Sequence, residues 1–588
     1  MSTPVALLRS KLRDLGIQAY FLPHNDSHNN EYLSTADMRM PFLSGFAGSS
    51  GHLLITQESA FLYTDGRYWL SAETQLYPEW TLMKLAPGVP RYFEWITQNL
   101  AKGSIIAYDS SIVSYESVKL RKDYFEKKGF EFRGLTSNPV NEIWTNRPEY
   151  SQDLVFRLSE EYTGKSTKEK VEEMAQKMTE KYLFTNALDE IAWLLNLRGT
   201  DIEYNPVFFS YLVLEKGETN LVHLFVKKGK IAGLEDYLNE NSVLVYDYSE
   251  IEGFLKGITE KVEVDQSKCN EALYLSIAQP ANGKANISDL KSIKNPREIQ
   301  GFRDSHIRDG AAVCKYFAWL EEELKTGQSW NEFSAAVKLE ELRRQDPLNR
   351  GLSFGTISSV GANAAVIHYK PSETEAKVLT TSEIYLLDSG GHYLDGTIDT
   401  TRTVHFGVPK AEEKDAYTRV LLGNLDLERM VWPESWQISG AELDIMARRR
   451  LWSKGLDYNH GTGHGVGHFL NVHEGPQGIS RARKVVLRPG MNVTNEPGYY
   501  KAGEFGIRIE NVMFVKKSEG LEEFLTFENV TMVPYHKGLI EESMLSKDDR
   551  NFINEYHSRI WQVLSPLLES KGDQVTLQWL RRNTSPLE

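Results

Sequence analysis

The chain of 588 residues is too long for one hydrophobic core, since a domain usually spans ~100–200 residues. Its hydrophobic share of 41% and charged share of 25% are those of a globular protein and argue against extensive disorder. The 67 basic and 81 acidic side chains give a formal charge of −14, which opposes nucleic acid and anionic membrane surfaces as partners.

The cysteine content and the N-terminal sequence indicate a cytoplasmic protein. Cys269 and Cys314 are the two cysteines, too few for the disulfide framework of a secreted protein. The apolar run at residues 5–8 is shorter than the ~7–15 residues of a signal-peptide core. No uncharged apolar run approaches the ~20 residues of a membrane-spanning helix, so we expect a soluble protein without a membrane partner.

The first predicted unit covers residues 1–140. Strand-like segments at 18–22, 51–55, 61–64 and 105–108 alternate with helical stretches, which is typical of an α/β domain. A linker is expected at 136–150, where Pro139 and Pro148 stand among polar residues without any period.

The second predicted unit covers residues 150–285 and resembles the first in its order of elements. A charged helical stretch precedes strand-like segments at 182–185, 210–214 and 221–226. The segment 243–247 looks like a counterpart of 105–109, although short apolar strands also match by chance. We therefore expect this α/β unit to be a repeat of the first.

The third predicted unit covers residues 286–588. Ser288 is a plausible helix cap, and Pro296 is expected in the first turn of a new helix. The charged segment around 547–582, with its Leu and Trp residues, predicts one or two C-terminal helices.

The segment 383–407 reads EIYLLDSGGHYLDGTIDTTRTVHFG and predicts a β-hairpin. Its apolar run ends at Asp388, before a Gly-Gly pair, and Asp399 lies in the Thr-rich run that follows. A hairpin can bring two carboxylates together, and hard divalent cations prefer such oxygen ligands. Aspartates near turns are also common turn formers, so this segment alone leaves both interpretations open.

The segment 460–476 reads HGTGHGVGHFLNVHEGP and holds four of the chain's 14 histidines. Alternating glycines exclude the helical two-histidine zinc motif but let the backbone approach a site closely. Solvated loop histidines are the alternative. So many titratable rings in a Gly-rich run more often serve chemistry.

The segment 495–514 reads NEPGYYKAGEFGIRIENVMF and adds two more carboxylates, Glu496 and Glu510. Alternation places Arg508 and Glu510 on one strand face, opposite Ile507 and Ile509. A buried carboxylate there needs a cation or a metal, and a salt-bridged edge strand is the alternative.

Taken together, the three segments resemble the pita-bread metallopeptidases. GLSFGTISSVGANAAVIHYKP, HGTGHGVG, NVHEGP, NEPGYY and GIRIEN are similar to the cytosolic Xaa-Pro aminopeptidases in particular, and SGFAGSSG and TDGRYWL resemble their N-terminal domain. The resemblance implies an α/β (α+β) fold in which two related N-terminal α/β domains precede a pita-bread catalytic domain with a C-terminal helical tail.

The resemblance also implies a two-metal site. Asp388 would hold one metal, His464 and Glu496 the other, and Asp399 with Glu510 would bridge the pair. Four carboxylates and one imidazole without a thiolate favour Mn²⁺, while Co²⁺ or Zn²⁺ also suit such a ligand set.

The implied reaction is hydrolysis of the bond between an unblocked N-terminal residue and a following proline, by hydroxide that two metals activate. Glu496 would accept the water proton, His368 and His473 would contact substrate and stabilise the oxyanion, and His460 resembles a further active-site histidine. The implied substrate-binding residues are Arg67, His368, His464, His473 and Arg508. Arg67 would act near substrate across a homodimer interface, or form a surface salt bridge.

Three other functions fit parts of the sequence. Prolidase, an Xaa-Pro dipeptidase, shares the metal core, and some pita-bread proteins bind peptides without catalysis. Residues 351–355 also satisfy the G-x-S-x-G pattern of serine hydrolases. That pattern requires a strand before Ser353 and a helix after it, and the flanking sequences favour neither.

Overall fold

The computed structural model describes residues 3–283 and 286–588, and the chain divides into two compact units. The N-terminal unit comprises Met1–Glu160 and Lys165–Leu290. The second unit comprises Glu161–Gly164 and Lys291–Glu588, and we call it the catalytic unit because it contains the predicted catalytic domain. Of the helices in the described residues, none has both the length and the hydropathy of a membrane span.

The helices are numbered in chain order: α1 Pro4–Asp14, α2 Arg39–Ser44, α3 Trp69–Gln75, α4 Tyr92–Asn99, α5 Tyr115–Lys128, α6 Pro139–Ile143, α7 Glu160–Thr163, α8 Thr167–Lys177, α9 Leu188–Leu194, α10 Glu235–Glu240, α11 Ile251–Gly257, α12 Glu271–Leu275, α13 Ile287–Ser292, α14 Pro296–Lys325, α15 Glu332–Arg343, α16 Ala411–Glu428, α17 Gly440–Trp452, α18 Lys547–Ser570 and α19 Gln574–Thr584. The last two confirm the predicted C-terminal helices.

The strands of the N-terminal unit are β1 Ala19–Pro23, β2 His52–Thr56, β3 Ala60–Thr64, β4 Thr81–Lys84, β5 Ile105–Asp109, β6 Glu131–Leu135, β7 Phe156–Arg157, β8 Tyr182–Thr185, β9 Leu197–Arg198, β10 Ser210–Glu215, β11 Leu221–Val226, β12 Val243–Tyr246, β13 Val262–Val264 and β14 Pro280–Ala281. All eight segments predicted as strands in this unit are strands.

The two six-stranded sheets of the N-terminal unit have the same topology. Their orders are β4-β3-β2-β1-β5-β6 and β12-β11-β10-β8-β13-β14. Parallel and antiparallel pairs also correspond, because β1 and β8 each have an antiparallel neighbour on one side and a parallel one on the other. The predicted repeat is confirmed, but the matched segments were wrong: β12 corresponds to β4, and β5 corresponds to β13.

The strands of the catalytic unit are β15 Asn349–Leu352, β16 Ile357–Val360, β17 Ile384–Ser389, β18 Gly391–Tyr393, β19 Gly396–Thr397, β20 Thr400–His405, β21 Val431–Pro433, β22 Gly463–Gly465, β23 Glu474–Ile479, β24 Asn492–Asn495, β25 Gly498–Lys501, β26 Phe505–Arg508, β27 Asn511–Ser518 and β28 Leu521–Asn529. Short sheets β16-β17-β20 and β21-β28-β27-β24 carry or flank the segments singled out in the sequence.

The long helix α14 is the first helix in the core of the catalytic unit. Pro296 is its first residue, as predicted, and the Asn295 side chain accepts hydrogen bonds from the backbone N–H groups of the first turn. The prediction that Ser288 is a cap was wrong: Ser288 lies inside α13, and its backbone N–H donates to the side chain of Asn286.

One hydrophobic cluster links the helices of this unit to the strands beneath them. Phe317 of α14, Leu387 of β17, Leu421 of α16 and Ile560 of α18 belong to it, and each is at least 98% buried. Strand β17, which carries the predicted metal ligand Asp388, therefore packs on a buried hydrophobic core.

Candidate metal centre

The predicted hairpin at 383–407 is confirmed and brings Asp388 close to the Asp399 strand. Strands β17 and β20 pair antiparallel, with Asp388 opposite Thr401 and Asp399 immediately before β20. Asp388 Oδ2 lies 2.6 Å from Nη2 of Arg508, while its Oδ1 is buried and has no hydrogen-bond partner. An unpartnered buried carboxylate oxygen is costly unless a ligand satisfies it.

His464 lies in β22, where a glycine permits close backbone approach. A Cβ at Gly463 would lie 1.9 Å from the carbonyl oxygen of Thr494, so a larger residue would displace β22 from β24. The His464 Nδ1 atom lies 2.9 Å from the Gly465 carbonyl oxygen, to which it can donate. Its Nε2 atom then faces the carboxylates, 3.3 Å from Asp399 Oδ2 and 3.5 Å from Glu496 Oε1.

Glu496 and Glu510 reach the same place from two further segments. Glu496 follows β24, and its backbone N–H donates to the Thr462 carbonyl at 2.8 Å. Glu510 follows β26, and the Thr401 hydroxyl donates to its Oε2 at 2.8 Å. Ligand atoms of Asp399, His464 and Glu510 all lie within 4.8 Å of one another.

The prediction that Arg508 and Glu510 share a face is confirmed. Both reach the hydroxyl of Thr401, at 3.2 Å from Arg508 Nε and 2.8 Å from Glu510 Oε2. Ile507 and Ile509 are fully buried in the hydrophobic cluster. Strand β26 ends at Arg508, so the alternation of side chains continues two residues beyond the regular strand, to Glu510.

The electrostatics of the cluster are those of crowded buried carboxylates. Burial raises the pKa of Asp388 and of Glu496. Burial, followed by the charges of Asp399 and Asp388, holds the pKa of Glu510 well above its ordinary value. Burial opposes the charged form of His464, but its hydrogen bond to Asp399 and the charge of Glu496 raise the pKa of the ring to about 9.

The donor set fits divalent cations. Oxygen atoms of four carboxylates and one imidazole nitrogen, with no thiol among them, are ligands for hard to borderline metals. Positive charge placed among these groups would also offset the burial and the like charges that raise the pKa values of Asp388, Glu496 and Glu510.

Arg508, Tyr500 and His460 form a chain beside the carboxylates. The hydroxyl of Tyr500 lies 2.7 Å from Arg508 Nη1 and 2.9 Å from His460 Nε2. His460 Nδ1 lies 3.9 Å from Glu496 Oε2. His460 therefore borders the site without joining the closest group.

The structure brings one further predicted residue, His473, against the site and places another, His368, after a segment that packs on β26. The ring of His473 is 4.3 Å from the ring of His464, edge to face. His368 is half-buried and follows the segment Gly361–Ala365, which packs on β26: a Cβ at Gly506 would lie 1.8 Å from the Ala364 carbonyl oxygen. His468, the remaining histidine of the cluster, packs against Phe302 in the core.

Arg67 belongs to the N-terminal unit. Its guanidinium makes a two-point ion pair with Asp65, at 2.8 and 2.9 Å, and both side chains are partly exposed. A salt bridge of this kind is the alternative to a substrate-binding role that the sequence allowed for Arg67. The pKa of Asp65 is lowered by this pairing, against the effect of burial.

The serine-hydrolase pattern has no nucleophile elbow. Ser353 is fully buried, and its hydroxyl donates to the Ile398 carbonyl at 2.7 Å. It follows β15 and is followed by another strand, β16, where an elbow requires a helix.

Two residues of the site were missed in the sequence. Thr401 donates to Glu510, and Tyr500 connects Arg508 to His460. Both stand within the motifs that drew attention to the site. Thr401 lies two residues after the predicted ligand Asp399, and in an extended chain this spacing places two side chains on the same face. That spacing is the signal that could have identified Thr401.

Family models match nearly the whole chain. Residues 300–517 match metallopeptidase family M24, and residues 523–587 match the C-terminal region of peptidase M24. Residues 4–137 and 146–298 each match a creatinase/prolidase N-terminal domain, in agreement with the two related sheets.

Several proteins that match this chain over almost its full length are named Xaa-Pro aminopeptidases. A probable Xaa-Pro aminopeptidase P of Laccaria bicolor is 44% identical over 99% of this chain and 93% of its own. Xaa-Pro aminopeptidase 1 of Dictyostelium discoideum is 42% identical over 100% and 97%. The crystal structure of X-prolyl aminopeptidase from Caenorhabditis elegans, described as a cytosolic enzyme with a di-nuclear active site, has a TM-score of 0.94 and 34% identity, covering 99% of both chains.

Proposed function

Because the chain belongs to metallopeptidase family M24 and is an Xaa-Pro aminopeptidase of that family, we propose that Asp388, Asp399, His464, Glu496 and Glu510 hold two divalent metal ions. The membership confirms the predicted pita-bread fold and the predicted metal-dependent peptidase. The observation that carries the ligand assignment is the buried, unpartnered Oδ1 of Asp388 in a cluster with the buried Asp399 and Glu510 and the partly exposed Glu496.

The proposed division of the ligands is the one that the family resemblance implies. Asp388 would hold one metal, His464 and Glu496 would hold the other, and Asp399 with Glu510 would serve both. We assign Mn²⁺ as the native ion because oxygen ligands dominate the set. The chemistry that such cations supply is polarisation of the scissile carbonyl and acidification of the attacking water.

The protein groups then bind substrate and move one proton. Glu496 accepts the proton of the attacking water at its carboxylate. The prolyl nitrogen leaves as a secondary amine and needs a proton, which Glu496 can return to it. His460, 3.9 Å from Glu496, borders this path.

Substrate contacts come from the histidines and the arginine around the carboxylates. His368 and His473 stabilise the negative charge that develops on the carbonyl oxygen, and His464 and Arg508 line the same space. The free α-amino group fixes the cut one residue from the peptide's end, and the rigid φ of proline lowers the entropic cost of binding it.

The proposed assembly comes from the family resemblance alone, and the proposed location is supported by one relative and by the thiols. We propose a homodimer in which Arg67 acts near substrate, and a cytoplasmic location. The free, buried Cys269 and Cys314 are compatible with a reducing compartment, and the C. elegans relative is described as cytosolic. Peptides with proline in the second position are the proposed partners, and the net negative charge disfavours nucleic acid and membranes.

Digestion of matched peptides by Mn²⁺-loaded protein tests the activity. We expect release of a single N-terminal residue from Xaa-Pro-Yaa peptides, measured by mass spectrometry, and loss of turnover with chelator. An N-acetylated copy and a copy with alanine in the second position are the controls, and both should resist cleavage.

Two outcomes would reject parts of this function. Cleavage of the acetylated peptide would show that the α-amino group is not recognised. Turnover confined to Xaa-Pro dipeptides would instead identify a prolidase, because a prolidase has the same metal core but acts on dipeptides.

A further inference from the structure

Arg402 lies behind the carboxylate cluster, in β20, three residues after Asp399. Its guanidinium is 1% exposed and is surrounded by neutral oxygen acceptors. Nη1 donates to the carbonyl oxygens of Thr401 and Glu510, at 2.8 and 2.6 Å. Nη2 donates to Asn511 Oδ1 at 2.8 Å, and so holds the residue that follows Glu510 as well.

This geometry fixes Glu510 from two directions. The main chain of Glu510 is tied to β20 by Arg402 and by its own N–H, which donates to the Thr401 carbonyl at 3.1 Å. The Thr401 hydroxyl then orients the carboxylate itself. Because a planar fork matches several acceptors at fixed angles, no other side chain could make these contacts together.

The same guanidinium connects the site to the C-terminal helix α18. Nη2 also lies 2.8 Å from the hydroxyl of Tyr556, and Nε and Nη2 lie 3.1 and 2.7 Å from the Val533 carbonyl. The two hydrogens of Nη2 are thus shared among three acceptors. The Tyr556 hydroxyl is 2.8 Å from that carbonyl too. Helix α18 therefore completes the acceptor set of Arg402.

We propose that Arg402 is a positioning residue for the metal centre, and that helix α18 acts on the centre through Tyr556. The proposal rests on the proposed function in one respect, that Glu510 is a metal ligand. It assigns the C-terminal helical segment a part in metal affinity, in addition to its part in the hydrophobic core.

Manganese titration of the chelator-stripped, full-length protein tests the proposal. Arg402→Lys removes the fork, and we expect Mn²⁺ to bind about 10-fold more weakly or worse, as for other residues that orient metal ligands. Tyr556→Phe keeps the ring and loses only the hydroxyl, so we expect a weakening of roughly 3- to 10-fold. Saturating Mn²⁺ should restore kcat in this variant.

Tyr417→Phe is the matched control. Its hydroxyl is buried in the same unit and accepts a hydrogen bond from the His536 N–H at 2.9 Å. We expect it to lower the thermal midpoint as Tyr556→Phe does while leaving the Mn²⁺ affinity unchanged. Equal affinities in Tyr556→Phe and Tyr417→Phe, or an unchanged affinity in Arg402→Lys, would overturn the proposal.

The wild-type titration separates this proposal from the proposed function. Wild-type protein that fails to bind two Mn²⁺ ions would reject the ligand assignment itself. Two bound ions in wild type, with equal affinity in the variants and the control, would reject the positioning role alone.

Discussion

Two buried glutamates of the catalytic unit, Glu332 and Glu510, are surrounded in opposite ways. The Glu332 carboxylate, at the first residue of α15, accepts hydrogen bonds from the backbone N–H groups of Val360 and Lys377, each at 2.8 Å, and from the Tyr369 hydroxyl at 2.7 Å. The Asn363 amide adds contacts to both of its oxygens. The protein itself satisfies this charge.

Glu510 instead faces three other carboxylates. The Thr401 hydroxyl donates to it, but burial and the charges of Asp399 and Asp388 hold its pKa well above the ordinary value. A buried charge that the fold satisfies is structural, whereas one that the fold leaves crowded with like charges marks a place for cations. The two glutamates separate these roles within one unit.

The largest expected effect comes from removing a bridging ligand. Glu510→Ala or Asp399→Ala should lower kcat/KM by more than about 1,000-fold, because both metals lose a shared ligand while the fold keeps its core. Metal content by elemental analysis, activity on an Xaa-Pro-Yaa peptide and circular dichroism check this together. Near-normal turnover with two metals bound would show that Glu510, like Glu332, is not needed by the metal centre.

Much of the site was predictable because its residues stand in local patterns. Asp388 and Asp399 bracket a hairpin, and the histidines lie in one Gly-rich run, so the pattern and the geometry coincide. Apart from the neighbouring Thr401 carbonyl, the acceptors of Arg402 come from residues more than 100 positions away, such as Glu510 and Tyr556. No local pattern in a sequence shows which distant oxygens meet one guanidinium.

The fold shows the same limit. Individual strands of the N-terminal unit were predicted from their apolar runs, but the match of 105–109 to 243–247 failed. The position of a strand in a sheet depends on which strands it pairs with. Strand β12 lies at the edge of its sheet beside β11, and β4 lies at the edge of its sheet beside β3. Similar composition of two short strands carries no information about their neighbours.

A smaller effect is expected at His368, which lies in the segment that Glu332 holds. His368→Ala should lower kcat roughly 100-fold with both metals retained, because the ring is proposed to act on the developing oxyanion. Single-turnover rates and metal content measure the two quantities separately. If the variant loses bound metal instead of catalytic rate, His368 belongs among the metal ligands. The segment that Glu332 holds would then be part of the metal centre, and Glu332 would not be purely structural.

The smallest effect is expected at Glu332 itself. Glu332→Gln places an amide N–H₂ against groups that are themselves donors, the N–H of Val360 or of Lys377, so we expect the free energy of unfolding to fall by about 1–3 kcal/mol. Bound metal should stay unchanged, since hydrogen bonds from protein donors already satisfy this carboxylate. Urea denaturation and metal analysis test both expectations. Glu340→Gln, on the same helix in a surface ion pair with Arg344, is the control and should shift stability by less than about 1 kcal/mol. Release of metal from Glu332→Gln would mean that the two carboxylates are not independent, and that the satisfied one also serves the site.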